Sequence, residues 1–135
     1  MILQIKALSP KIGDVIPAPH FATPGSAAMD LCACLEVDMT LKAGARQVLP
    51  TGIAIALPSA DYVALICARS GLASKHGITM ANGVGVIDSD YRGELRVALY
   101  NESDTDYVIH AGDRIAQLMV LPVVQPALEF VDELD

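Results

Sequence analysis

An all-β fold of the sandwich, barrel or jelly-roll kind is the architecture this 135-residue chain predicts, and three observations point to it. Ten glycines and eight prolines punctuate the sequence at short intervals. The runs between them are short and rich in Val, Ile, Leu and Tyr, which suits strands better than helices. In "ELRVALYN", Leu95, Val97 and Leu99 alternate with Arg96, Ala98 and Tyr100, the period of two imposed by a sheet with one buried face. Turns recurring roughly every eight to twelve residues favour an antiparallel arrangement over a parallel βαβ fold.

Taken in order, the expected strands are bounded by this punctuation. Leu3–Leu8 is an apolar–polar alternation with a lysine inside it, and Met39–Leu41 precedes the turn "KAGA". Gln47–Pro50 and Ile53–Leu57 are divided by Thr51 and Gly52, and Tyr62–Cys67 runs from "PSAD" to the polar "RSG". Leu95–Asn101 carries the alternation already described, Tyr107–Ile109 sits between two polar stretches, and Ile115–Leu121 stops at Pro122. The one helix candidate is the short "GLASKHG", flanked by Gly71 and Gly77. "NGVGVIDSDYRGEL" reads as strand, turn, strand. The acidic end, "LEFVDELD", has the look of an arm leaving the domain to pack on a neighbouring subunit.

The totals bound the class. The length suits a single domain over residues 1–135, on the scale of roughly 100–200 residues per domain. Apolar residues make up 53% and charged ones 19%, which excludes disorder and adds to the case for an oligomer that buries extra surface. No apolar run approaches the roughly 20 residues of a membrane span, and the start lacks the pattern of a secretory signal. Cys32, Cys34 and Cys67 are an odd count without metal-ligand spacing to His20, His76 or His110, so a reducing cytoplasm and small buried side chains are expected. Sixteen acids against nine bases give a net charge of −7, which repels nucleic-acid polymers. A small anion is still bindable by a few arginines and backbone amides.

Four stretches concentrate polar groups. In "NGVGVIDSDYRGE", Gly83 and Gly85 would leave backbone N–H and C=O groups open to a planar ligand; a solvated loop with Asp88 and Asp90 as turn formers fits equally well. "ARSGLA" sets Arg69 and Ser70 before Gly71 at a possible helix start, which is either a phosphate cradle or a polar turn. "GDRIAQL" offers Gly112, Arg114 and Gln117, and Arg114 could simply tie its turn to a neighbour. "SAAMDL" offers Asp30, a lone carboxylate suited to holding a cation through water or to capping a turn.

Together and in this order, these stretches resemble the motifs of the homotrimeric dUTP pyrophosphatase (dUTPase) family. Those motifs run as Ala-Gly-x-Asp-Leu, Pro-Arg-Ser-Gly-Leu, Asn-x-x-Gly-x-Ile-Asp-x-x-Tyr-Arg-Gly-Glu and Gly-Asp-Arg-Ile-Ala-Gln-Leu. The resemblance covers nearly the whole chain, with Ala28 in place of a glycine and Ala68 in place of a proline. The family's glycine-rich carboxyl-terminal arm, which closes over the triphosphate, is not met by Asp135, so residues 1–135 are expected to form the dUTPase-like domain without it.

The resemblance implies a distorted jelly roll of the β-clip type, assembled as a homotrimer whose sites each draw on more than one subunit. It implies Mg²⁺-dependent hydrolysis of dUTP between the α- and β-phosphates to dUMP and pyrophosphate, which keeps uracil out of DNA and supplies dUMP for thymidylate synthesis. Asp88 is then the general base, its second oxygen holding the sugar 3′-OH. Tyr91 lies against the deoxyribose and leaves no room for a 2′-hydroxyl, while Asn82 and the backbone of Val86 and Ile87 read uracil. Arg69, Ser70, Gly71 and Gln117 hold phosphates, Asp30 holds Mg²⁺ through water, and Arg96 lines the pocket. Asp90 is left as a turn residue. Two other readings are a dCTP deaminase, which shares the fold but lacks the sugar-stacking tyrosine, and a trimeric nucleotide-binding module without turnover.

Overall fold

Alternating apolar residues need a second apolar layer to cover them, and the computed structural model, which describes residues 1–135, supplies it as two four-stranded sheets. Ten strands and one helix follow in order: β1 (Gln4–Ala7), β2 (Met29–Cys32), β3 (Met39–Leu41), β4 (Arg46–Ala56), β5 (Tyr62–Cys67), α1 (Ser70–His76), β6 (Ile78–Met80), β7 (Gly85–Ile87), β8 (Glu94–Asn101), β9 (Tyr107–Ile109) and β10 (Arg114–Pro122). One sheet has the order β1-β4-β8-β6 and the other β2-β10-β5-β7, with β3 and β9 forming a small third pair. Every strand pairing is antiparallel, as the alternation requires.

Leu95, Val97 and Leu99 of β8 are buried with Leu49, Ile53 and Ile55 of β4, Leu31 of β2, Ile66 of β5 and Leu118 of β10 in one core cluster. Leu95 is wholly buried, so Leu95→Ala removes apolar volume where the sheets cannot collapse. The expected cost is about 2–5 kcal/mol of unfolding free energy, read as a lowered urea midpoint with an unchanged slope.

Three expectations are corrected. The strands expected at Gln47–Pro50 and Ile53–Leu57 are one strand, β4, with a register shift between Pro50 and Ala54. Gly52 takes up the extra residue at φ +73°, a conformation that favours glycine, so the break becomes a bulge instead of an end. The polar groups of the bulge find partners on β8: the Thr51 hydroxyl donates to the Leu95 carbonyl at 2.6 Å, and the Gly52 N–H donates to Glu94 Oε1 at 3.0 Å. Second, β2 and β6 were not among the expected strands; they are only four and three residues long.

The third correction bears on function. β7 and β8 are not a hairpin, because β7 pairs with β5 while β8 pairs with β4 and β6 in the opposite sheet. A two-residue turn cannot span two layers, whereas residues 88–93 can. That segment is braced internally: the Tyr91 N–H donates to the Asp88 carbonyl at 3.1 Å, and Arg92 Nη1 donates to the carbonyls of Ser89 and Tyr91 at 2.8 and 3.0 Å.

Beyond β10, residues 123–135 are exposed and have no regular structure, with Val124, Leu128, Phe130 and Leu134 among the exposed apolar side chains. No helix is long and apolar enough to cross a membrane.

Candidate active site

Strand register gathers three of the four polar stretches. Asp30 on β2 is the partner of Gln117 on β10, and Gln117 is in turn the partner of Cys67 at the end of β5. The chain leaves β5 through Ala68 into Arg69, whose extended backbone precedes α1. Arg69 Nε reaches Asp30 Oδ1 at 2.9 Å, and Arg114 Nη1 stands 3.6 Å from Asp30 Oδ2. One half-buried carboxylate between two guanidinium groups leaves this corner with a net positive charge, in a protein whose net charge is −7.

Gln117 Nε2 donates to the Ala68 carbonyl at 2.9 Å and so fixes the approach to the Arg69-Ser70-Gly71 turn. Ser70 and Gly71 open α1 and are exposed, with no side chain capping the first N–H groups of the helix. A Cβ at Gly71 would meet nothing within 4 Å, so the chain's own packing makes no demand for glycine there.

Beneath this corner Cys32 is buried, and that burial, with the Asp30 carboxylate adding to it, pushes its thiol above the ordinary range. It stays protonated and is no nucleophile. All three cysteines are free thiols, with Cys34 and Cys67 partly buried, and no group of three His, Cys, Asp or Glu side chains gathers as a metal site. On the far side of the β9–β10 turn, a hydrogen bond to Asp38 at 2.9 Å raises the pKa of the exposed His110.

The remaining polar stretch runs from this end of β5 along the sheet edge and away from the corner. Asn82 occupies the turn between β6 and β7, exposed, with its carbonyl accepting the Val84 N–H at 2.9 Å. Because β6 and β7 join different sheets, the chain opens on either side of Asn82 instead of zipping into a ladder. β7 is the edge of its sheet, so every second residue turns its N–H and C=O away from β5. Gly85 departs from expectation: a Cβ there would come 3.2 Å from Ile66 Cβ, so the missing side chain lets β7 pack on β5 instead of opening backbone to a ligand. Gly83 is exposed, with nothing within 4 Å of such a Cβ.

Asp88 is exposed and, with Val86, Ser89 and Asp90, lines a cleft whose far wall is Tyr62, Val123 and Gln125. Tyr91 is 43% exposed, and its hydroxyl donates to the Glu94 carbonyl at 3.0 Å. Arg96 lies exposed on β8, its Nη2 3.2 Å from Glu94 Oε2 at the end of that stretch.

Asp88 and the Asp30 corner do not meet within one chain. Ile87 pairs with Ala64 and Gln117 with Cys67, which puts Asp88 beside Val63, four residues from the Gln117 row. That is about 13 Å along the strands and, across the three gaps from β7 to β2, about 14 Å laterally to Asp30.

Sequence comparison agrees with this arrangement of motifs. Residues 14–135 match the family model described as dUTPase. The chain belongs to the dUTPase family. Among its relatives, the deoxyuridine 5'-triphosphate nucleotidohydrolase of Idiomarina loihiensis is 50% identical over 131 residues, spanning 97% of this chain and 87% of the relative. The protein of the same name from Shewanella oneidensis is 49% identical over 133 residues, spanning 98% and 88%. Among solved structures, the dUTPase of Staphylococcus bacteriophage 80alpha with dUPNHPP superposes with a TM-score of 0.86 at 26% identity, over 99% of this chain and 90% of that one. A mutant dUTPase from phage phi11 of S. aureus, described for its coordination of a structural Mg(II) ion, shares the fold with a TM-score of 0.87 at 24% identity, over 100% and 99%.

Within the dUTPase frame, Arg114, read from sequence only as a possible tie of its turn to a neighbour, is a second cation on Asp30. Glu94, to which sequence reading gave no role, ties the loop to the β4 bulge through the Gly52 N–H. The signal for Glu94 was present: it precedes a buried leucine at the start of the clearest alternation in the chain.

Proposed function

We propose that this dUTPase-family enzyme cuts dUTP between the α- and β-phosphates, giving dUMP and pyrophosphate, at sites shared between the subunits of a homotrimer. The observation that carries the reading is the separation of the two polar groups. A nucleophile's base and the phosphate ligands must lie within a few ångströms of one phosphorus, and about 13 Å by 14 Å of sheet keeps them apart in one chain. A second copy that brings its Asp88 loop to the Arg69 corner closes the distance. The exposed apolar side chains of residues 123–135 and of β1 supply surface for such an assembly. Residues 1–135 act in it as one domain, in the cytoplasm.

In this reading Asn82 and the backbone around Val86 and Ile87 recognise the uracil edge as an added strand would, on the open edge of β7. Tyr91 offers its ring to the deoxyribose and excludes a 2′-hydroxyl. Asp88 accepts the proton of the attacking water and holds the 3′-OH with its second oxygen. Arg69, Ser70, the amide at Gly71 and Gln117 bind the phosphates, where the net positive corner opposes the substrate's charge. Arg96 forms a wall of the pocket on the strand leaving the loop.

The donor set fits Mg²⁺ held through water. A carboxylate has about four lone-pair positions, so Asp30 retains acceptor capacity beyond its arginine contacts, while the chain provides no cage of several carboxylates for direct ligation. When bound to the phosphate chain, the ion supplies neutralisation of the charge that grows on departing pyrophosphate.

Incubation with dUTP, dCTP or UTP plus Mg²⁺, followed by assay of pyrophosphate and ammonia, tests the proposal. Pyrophosphate from dUTP alone is expected. Ammonia from dCTP, or tight dUTP binding without product, overturns it.

A further inference from the structure

Gly93 has a neighbour that no other glycine in the chain has. A Cβ placed on it would lie 2.5 Å from the Tyr91 hydroxyl oxygen, 2.7 Å from Cζ and 3.2 Å from Cε2. The Tyr91 ring therefore rests on the bare backbone of Gly93. Left-handed backbone is not the reason for a glycine here, because Gly93 is absent from the positive-φ glycines. The three atoms that a side chain at 93 would meet first all belong to the ring.

The seat is fixed from both ends. The ring hydroxyl is anchored on the Glu94 carbonyl at 3.0 Å, and Glu94 is itself held by the Gly52 N–H at 3.0 Å and by Arg96 at 3.2 Å. The side chain is not otherwise enclosed, since Tyr91 is 43% exposed. Ordinary carbon contacts lie at 3.5–4.0 Å, so a methyl group at 93 would have to lift the ring by about 1 Å. Lifting it breaks the hydroxyl's hydrogen bond, and an exposed side chain then swings into solvent at little cost to the fold.

We infer that Gly93 is a specificity-determining positioning residue: by lacking a side chain it seats the Tyr91 ring at the depth that admits deoxyribose and refuses ribose. This rests on the placement of Tyr91 against the sugar in the proposed function. A displacement of about 1 Å in a substrate-positioning group can cost up to a hundredfold in rate.

The test compares kcat/KM for dUTP and for UTP in the wild type, Gly93→Ala, Tyr91→Ala and the double variant, with thermal melting of each. Gly93→Ala is expected to lower the dUTP-to-UTP ratio about tenfold or more at a nearly unchanged melting temperature. In the Tyr91→Ala background the same substitution is expected to change nothing further, because the clashing ring is gone. If Tyr91→Ala lowers the ratio and Gly93→Ala leaves it at the wild-type value, the seat is refuted while the sugar-facing tyrosine survives. If Tyr91→Ala itself leaves the ratio unchanged, the parent reading of Tyr91 fails and takes the inference with it. Equal losses from Gly93→Ala in both backgrounds also overturn it. Should Gly93→Ala alone fail to fold, the double variant is expected to regain the fold, and its failure to do so refutes the ring as the cause.

Discussion

Asp88→Asn is expected to lower kcat for dUTP by roughly a hundred- to ten-thousand-fold, the span that general-base catalysis supplies, while leaving binding nearly intact. Asparagine keeps the size and turn-forming character of aspartate and can still bond a 3′-OH. It cannot take up the proton that water loses as it attacks. The fold has no stake in the carboxylate: Asp88 is exposed, and the loop around it is braced by its backbone carbonyl and by Arg92. Pyrophosphate release under single-turnover conditions, with calorimetric affinity for a nonhydrolysable dUTP analogue, separates the two effects. Turnover at the wild-type rate would remove Asp88 from its role.

The second large effect is a recovery. Arg69→Ala takes the guanidinium that lies 2.9 Å from Asp30 out of the proposed phosphate corner, and Asp88→Asn takes the proposed base out of the loop. Each variant alone is expected to be nearly inactive. If sites are shared between subunits as proposed, refolding the two together at equal concentration gives half the sites an intact loop and half of those an intact corner, so about a quarter of wild-type activity is expected from randomly mixed assemblies. A mixture that shows only the sum of its two parts would place both halves of the site within one subunit. Size-exclusion chromatography on the same samples checks that mixed assemblies have formed.

Much of the fold was legible because it is locally encoded. β3, β5 and β9 coincide with the expected Met39–Leu41, Tyr62–Cys67 and Tyr107–Ile109, and β8 and β10 exceed expectation only at their ends. In each, an apolar run is bounded by turn residues. What was illegible depends on partners distant in sequence. β2 carries Asp30 in its middle, and the charge is tolerable there because Arg69, 39 residues away, meets it. The bulge that joins the two expected halves of β4 is held by Leu95 and Glu94, 44 and 42 residues away. Sheet membership of β7 and β8 is likewise a long-range fact, so a local reading could only draw a hairpin.

The candidate site divides in the same way. The motifs bring the chemistry-bearing residues into view as a set, and register then shows which of them share a corner. The gap between the two groups is a property of assembled sheets and has no signature in spacing. The ring lying on Gly93 is a contact two residues along the chain that depends on the shape of the loop.

The crossing of residues 88–93 from one sheet to the other carries a further consequence. A loop rooted at both ends in a single sheet can keep its shape while the layers slide; this one is a rivet through both. Its shape lasts only while the two layers hold their alignment, so the loop proposed to grip the substrate and the cohesion of the sandwich belong to one cooperative unit.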